Sequence, residues 1–262
     1  VNLGLENKVV LVTAASKGLG RAMATCFAAE GATVVLASRS AESLAATAAE
    51  IREETGREVF WQAADLASAE DIRTLVAATA ERHGALHVLI NNTGGPPAGN
   101  FAATADAAWQ AAFEGVLLSA VRCIREALPH LRRSGCGRIL NVASSSFKQP
   151  LDNLILSNTF RTALVGLAKS LATELAPDGI LINTLGPGRI ATDRLASLDR
   201  MRAERQGVSP DEVRRLAEGQ IPLGRYGEPS EFARMAVFLA SAANSYVTGQ
   251  AFLVDGGLVK AI

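Results

Sequence analysis

Gly18 and Gly20 follow an apolar run at 9–12 through the short segment Thr13-Ala14-Ala15-Ser16-Lys17, with Leu19 between them. Without Cβ atoms, glycines at the start of a helix let a diphosphate approach the backbone, and the helix N-terminus favours its charge. The plainer reading is a tight turn. A second apolar run ends in Ala37-Ser38-Arg39-Ser40. An acid at such a place accepts from a ribose 2′-hydroxyl, whereas Arg39 suits a 2′-phosphate, and Lys17 adds a second cation. The plainer reading is a pair of solvated surface charges. Asp65-Leu66 follows a third run and is placed to meet an adenine edge. Asn91-Asn92-Thr93-Gly94-Gly95 follows a fourth and shapes a tight turn beside the same crevice. Each feature alone could be turn chemistry; four in order at strand ends are harder to dismiss.

These residues need a frame. Short apolar runs predict strands over 9–12, 33–37, 59–62, 86–90, 138–142, 180–183 and 251–254. Helical patterns fall between them, at 18–30, 41–54, 69–83, about 106–133 and 228–240. Pro129 is expected to bend or end the fourth helix. Leu164, Leu167, Ala168, Leu171 and Leu175 share one face of a further helix, which Pro177 and Gly179 stop. Residues 189–221 read as polar and irregular, with helix-like pieces. Alternating β and α units predict an α/β fold: one domain over 1–262, with a doubly wound parallel sheet of about seven strands and helices on both faces. Ligands of such sheets bind beyond the carboxyl ends of the strands.

Composition narrows the function further. Lys+Arg and Asp+Glu both number 26, so net charge gives no argument for nucleic acid or an anionic membrane. No apolar run approaches the ~18 residues of a membrane span. Residues 1–8 do not read as a secretory signal. Cys26, Cys123 and Cys136 form no CxxC pair and no metal spacing with the three histidines. Reduced thiols, no metal and a cytoplasmic location are the expectation.

The chain resembles the short-chain dehydrogenase/reductase family over almost its whole length. The resemblance rests on the Gly-rich loop, Asp65, the 91–94 motif, the strand ending at Ser144, Gly186-Pro187-Gly188 with Thr192, and Gly249-Gln250 to Asp255-Gly256-Gly257. The tail and the run Ile221-Pro222-Leu223-Gly224-Arg225 look most like 3-oxoacyl-[acyl-carrier-protein] reductases. The resemblance implies a Rossmann-type sheet, a small-molecule carbonyl or hydroxyl substrate, and a homodimer or homotetramer. It implies cofactor contacts from Thr13, Ser16, Lys17, Gly18, Leu19, Gly20, Arg39, Ser40, Asp65, Leu66, Asn91, Thr93, Gly94, Arg161, Pro187, Gly188, Ile190 and Thr192. The cofactor expected is NADP(H) in preference to NAD(H). Residues 189–221 would form the substrate lid. One departure lies in the loop itself, where Ala14 replaces the usual glycine.

The larger departures are catalytic. The family uses a Ser to polarise the carbonyl, a Tyr as proton donor, a Lys to hold the ribose and an Asn to anchor a water. Ser144 matches the Ser, though it could equally cap a helix. Spacing puts Ser157 at the Tyr, Arg161 at the Lys and Val116 at the Asn. An aliphatic hydroxyl is a far weaker acid than a phenol, and Arg does not release its proton. Lys148 is the alternative cation or acid, or else a solvated loop lysine; Asp152 and Asn153 could hold a polar substrate group. Tyr226 and Tyr246 read as packing residues. Three functions stay open: an NADP-dependent oxidoreductase with an altered proton path, a nucleotide-binding protein without turnover, and non-redox chemistry in the same crevice.

Arg39 and Lys17 generate a prediction. NADPH should bind more tightly than NADH, by up to roughly 3 kcal/mol. Arg39→Ala should erase most of the difference; equal affinities in the unmutated protein would sink the claim.

Overall fold

The computed structural model describes residues 1–261. Seven parallel strands form one sheet: β1 (Val9–Thr13), β2 (Thr33–Ser38), β3 (Phe60–Ala63), β4 (Val88–Asn91), β5 (Arg138–Val142), β6 (Leu181–Pro187) and β7 (Ala251–Val254). Their order is β3-β2-β1-β4-β5-β6-β7. The connections reverse direction across the sheet between β1 and β4, which opens a crevice beyond their carboxyl ends.

Side chains alternate across each strand; the inner strands β1, β4 and β5 are covered on both faces and read as apolar runs, whereas edge strand β3 leaves Trp61 exposed. Val10 and Val12 pack with Met23 and Phe27 of α1 (Gly18–Ala29) and Phe232 of α9 (Pro229–Leu239). Leu11 and Leu89 pack on the opposite face with Ile72 and Leu75 of α3 (Ala69–His83), and with Ile124 and Leu131 of α5 (Ser119–Ser134). Start and stop signals act as the sequence suggests. Ser40 Oγ accepts from Ser43 N at the head of α2 (Ala41–Thr55), and Gly56 ends that helix at φ 70°.

Two expectations need correction. Pro129 does not end the fourth helix: α5 runs through it to Ser134. The lost backbone bond is offset by the buried face of Cys123, Ile124, Ala127 and Leu131 against the sheet and α3. The irregularity lies earlier, in a π-helical turn at Phe113–Leu118 between α4 (Asp106–Ala112) and α5. Second, 189–221 is not irregular. It holds α7 (Asp193–Gln206) and α8 (Pro210–Glu218). Their signals were in the sequence: Thr192 and Ser209 accept from Leu195 N and Glu212 N, and Pro210 with Asp211 and Glu212 opens a helix. The apolar stripe is thin, with Asp199 and Ala203 the buried residues of α7, so periodicity gave little. Ile155–Leu175 forms the long helix α6, which enters beside the crevice.

The first loop carries strain. Ala14 sits at φ +46°, in the left-handed region where a Cβ costs roughly 1–2 kcal/mol. Its conformation is held by Asn92, whose Nδ2 donates to Thr13 O and Ala14 O. Ala14→Gly should stabilise the protein by about 1 kcal/mol, because the strain relieved outweighs the added chain entropy. A higher urea midpoint checks this, and an unchanged or lower one would show that Ala14 stores no strain.

Candidate active site

The loops after β1, β2, β4, β5 and β6 meet at one end of the sheet. Ala15 N donates to Ala37 O at 3.0 Å, which lays the first loop beside the end of β2. Thr47 Oγ1 donates to Ser16 O at 2.8 Å and fixes it from α2. Thr13 Oγ1 donates to Asn92 O at 2.7 Å and to Ile90 O at 3.1 Å, and accepts from Asn92 N. Thr13 is therefore a buried strut between the β1 and β4 loops, its hydroxyl taken up inside the protein. Asn92, which no local signal sets above Asn91, is the other half of that strut. Asn91 itself faces its register partner, Asn91 Nδ2 donating to Asn141 Oδ1 at 2.9 Å.

The cradle at α1 suits a diphosphate. Lys17 at the N-cap is extended and makes no side-chain cap bond, so the first-turn amides take no side-chain partner. Gly18 needs its glycine for φ +57°; a Cβ there would meet Thr192 Cγ2 at an ordinary 3.7 Å. Gly20 serves a different purpose. A Cβ on it would lie 2.3 Å from Ala14 O and 2.9 Å from Ala15 Cα, so it lets the loop pack on its own helix. Lys17 and Arg39 are exposed and, among the described residues, have no carboxylate partner. Ser40 Oγ accepts from Ser43 N as it caps α2, which leaves its O–H free to donate. Asp65 accepts from Ala67 N, and Leu66 packs against the core. On the far side Gly188 abuts Asp255, Ile190 is buried in a bridge to Gly227, and Thr192 caps α7 beside Gly18. Pro187 ends β6. Uncapped amides, a glycine cradle and free cations fit a phosphorylated dinucleotide.

Arg161 braces the loops after β4 and β5. Its side chain is 5% exposed. Nη1 donates to Val142 O at 2.6 Å, and Nη2 donates to Thr93 O at 3.0 Å and Gly94 O at 3.2 Å. One guanidinium thus joins the end of β5 to the loop after β4. Burial, with the charge of Arg194 adding to it, lowers its pKa to about 10, so it remains a cation at neutral pH. Ser144 Oγ accepts from Ser146 N at 3.2 Å as it caps the next turn, which leaves its O–H free to donate. Ser157, one turn before Arg161 on α6, is half-buried, and its hydroxyl has no protein partner among the described residues. Val116 lies in the π-helical turn and packs with Ala120, Leu164 and Phe160. An apolar contact stands where a water anchor was expected. Lys148 is exposed at the rim. Asn158, which carries no motif in the sequence, clamps that rim by accepting from Leu151 N and donating to Leu151 O.

The two tyrosines of the chain are Tyr226 and Tyr246. Tyr226 is buried and donates to Asp199 Oδ2 at 2.9 Å, while Arg189 bonds Asp199 at 3.1 Å. Burial and that hydrogen bond push its pKa up to about 12. It holds α7 to the segment after α8. Tyr246 is fully exposed. Among the described residues no cluster of His, Cys, Asp and Glu could hold a metal, and no helix is long and apolar enough to cross a membrane.

A family profile described as enoyl-(acyl carrier protein) reductase matches residues 13–259. The chain belongs to the short-chain dehydrogenase/reductase family. It is 32% identical over 259 residues to the 3-oxoacyl-[acyl-carrier-protein] reductase of Aquifex aeolicus, covering 98% of this chain and 100% of that one. Among solved structures it resembles L-sorbose reductase from Gluconobacter frateurii, complexed with NADPH and L-sorbose, at 32% identity and TM-score 0.94, with both chains covered in full. It also resembles a single-substitution variant of actinorhodin polyketide ketoreductase with NADPH, at 35% identity and TM-score 0.92, covering 96% of this chain and 97% of that one. The protein is an NAD(P)-dependent oxidoreductase of the short-chain type.

Arg161 should prove structural. Arg161→Leu leaves three backbone carbonyls without their donor and should cost about 2–4 kcal/mol of stability, read from the urea midpoint. Arg161→Lys should lose less. A midpoint unmoved by Leu would mean that the two loops are braced by something else.

Proposed function

We propose that this short-chain oxidoreductase reduces a carbonyl substrate of 3-oxoacyl type with NADP(H), without a strong side-chain acid. The observation that carries the reading is an intact dinucleotide cradle beside a Ser144 hydroxyl free to donate, with a serine where the phenol would be. The preference for NADP(H) rests on Lys17 and Arg39. When bound, the reduced cofactor supplies a hydride. Ser144 donates to the substrate oxygen and polarises the carbonyl. Arg161 holds the β4 and β5 loops in place and adds positive charge below them. Ser157 leaves room for water or a larger substrate group. The proton reaches the product oxygen from solvent, relayed by the Ser157 hydroxyl or supplied by Lys148 at the rim. The segment 189–221 closes over the ligand as a packed unit of α7 and α8. By resemblance, the protein works as a cytoplasmic homodimer or homotetramer.

The test is a titration with NADPH followed by turnover of ethyl acetoacetate. Binding should be saturable, and reduction should be slower than the ~1–10³ per second of ordinary enzymes. Ser157→Tyr with Arg161→Lys, and then Val116→Asn, should raise the rate by up to roughly 10²–10⁴-fold, the contribution of general acid catalysis. An unmutated protein that already turns over at ordinary rates would overturn the weak-acid reading, and loss of that rate in Lys148→Ala would locate the acid. Tight NADPH binding with no reduction of any carbonyl compound would overturn the proposed activity.

A further inference from the structure

The loop after β4 is held between two arginines. Arg194, in the first turn of α7, lays its guanidinium on Gly95. A Cβ built there would stand 2.9 Å from Arg194 Nε, 3.0 Å from Nη2 and 3.1 Å from Cζ. The guanidinium therefore occupies the space that a side chain at 95 would fill. Nη2 also donates to Pro96 O at 2.7 Å. Arg161 donates to Thr93 O and Gly94 O of the same loop. Three carbonyls of four consecutive residues are thus turned towards two cations.

Those carbonyls satisfy donors but bring no net charge. Among the described residues neither arginine has a carboxylate within ion-pair distance, whereas neighbouring Arg189 is paired with Asp199. The two guanidiniums are close enough for the charge of Arg194 to depress the pKa of Arg161. The amides of Thr93, Gly94 and Gly95 donate to no protein acceptor among the described residues. Thr93 Oγ1 is buried without a partner. Uncompensated positive charge beside free, successive N–H groups is the chemistry of an anion site.

We infer that Arg194 and the loop 93–96 bind an anionic group of the ligand, a carboxylate or a phosphate, with Arg161 as a fixed charge behind the loop. The inference rests on this crevice being the cofactor and substrate cleft. Two sources of the anion meet here: the diphosphate of the cofactor, since Thr192 beside Gly18 is two residues from Arg194, and an acid group on the substrate.

The test compares the unmutated protein with Arg194→Gln and Arg194→Lys, each checked for fold by circular dichroism. Two binding constants are measured: that of NADPH by fluorescence, and that of acetoacetate or ethyl acetoacetate for the NADPH complex by thermal shift. Arg194→Gln should weaken one of them by roughly tenfold or more, the loss of a charged hydrogen bond, and Arg194→Lys should restore part. Weaker NADPH binding identifies the cofactor as the source. Unchanged NADPH binding, with acetoacetate lost and the uncharged ester unaffected, identifies a substrate carboxylate. Arg194→Gln that binds both ligands like the unmutated protein overturns the inference, as does equal weakening of acid and ester with NADPH unaffected. If Arg194→Gln fails to fold, Arg194→Lys is compared alone, and affinities insensitive to that change overturn the inference as well. The readouts are affinities, so a protein that binds NADPH and reduces nothing would fail the proposed activity and leave this test intact.

Discussion

A single buried guanidinium ties the working end of this sheet together. Arg161 reaches from α6 to Val142 at the end of β5 and to Thr93 and Gly94 after β4. Burying a cation without a carboxylate is costly, and here three backbone carbonyls offset part of that cost by accepting from Nη1 and Nη2. The loops on either side of the crevice then depend on this charge. The Arg194 seat on Gly95 lies on the same loop, and Ser144 follows Val142 by two residues. An arginine at this point is a rigid, multidentate brace, where a lysine would be a flexible point charge.

The two halves of the crevice differ in how closely they keep the family pattern. At the nucleotide half, Thr13 and Asn92 lock the first loop to the fourth, Gly18 supplies a left-handed turn, and the head of α1 stays uncapped. These are backbone requirements, and the sequence meets them with one strained exception at Ala14. At the catalytic half, we propose that Ser157, Arg161 and Val116 stand at the positions of the family's Tyr, Lys and Asn. Ser157, Arg161 and Val116 are mutually consistent. The valine fills an apolar contact with Leu164 and Phe160, and the arginine spends its donors on the backbone.

The sequence by itself determined the architecture and the place of the crevice. Apolar runs of strand length alternating with capped helices admit one kind of sheet, and every strand expected is present within a few residues of its reading. The thin-faced helices α7 and α8 escaped, because so few of their residues are buried that periodicity fades, although Ser209-Pro210 announced one of them. Tertiary structure alone decided what each polar side chain does. Thr13 could be read as a ligand donor, yet its hydroxyl is consumed by Ile90 O and Asn92 O, a partner 79 residues away. Arg161 could be read as a ribose contact; the fold places its Nη1 and Nη2 on carbonyls 19, 67 and 68 residues away. The pairing of Arg194 with Gly95 has no local signature at all. Strand and helix follow from near neighbours in the chain, through spacing and caps. A hydrogen bond between distant residues depends on where the folded backbone brings its acceptors, and that is fixed only when the sheet and its helices have packed.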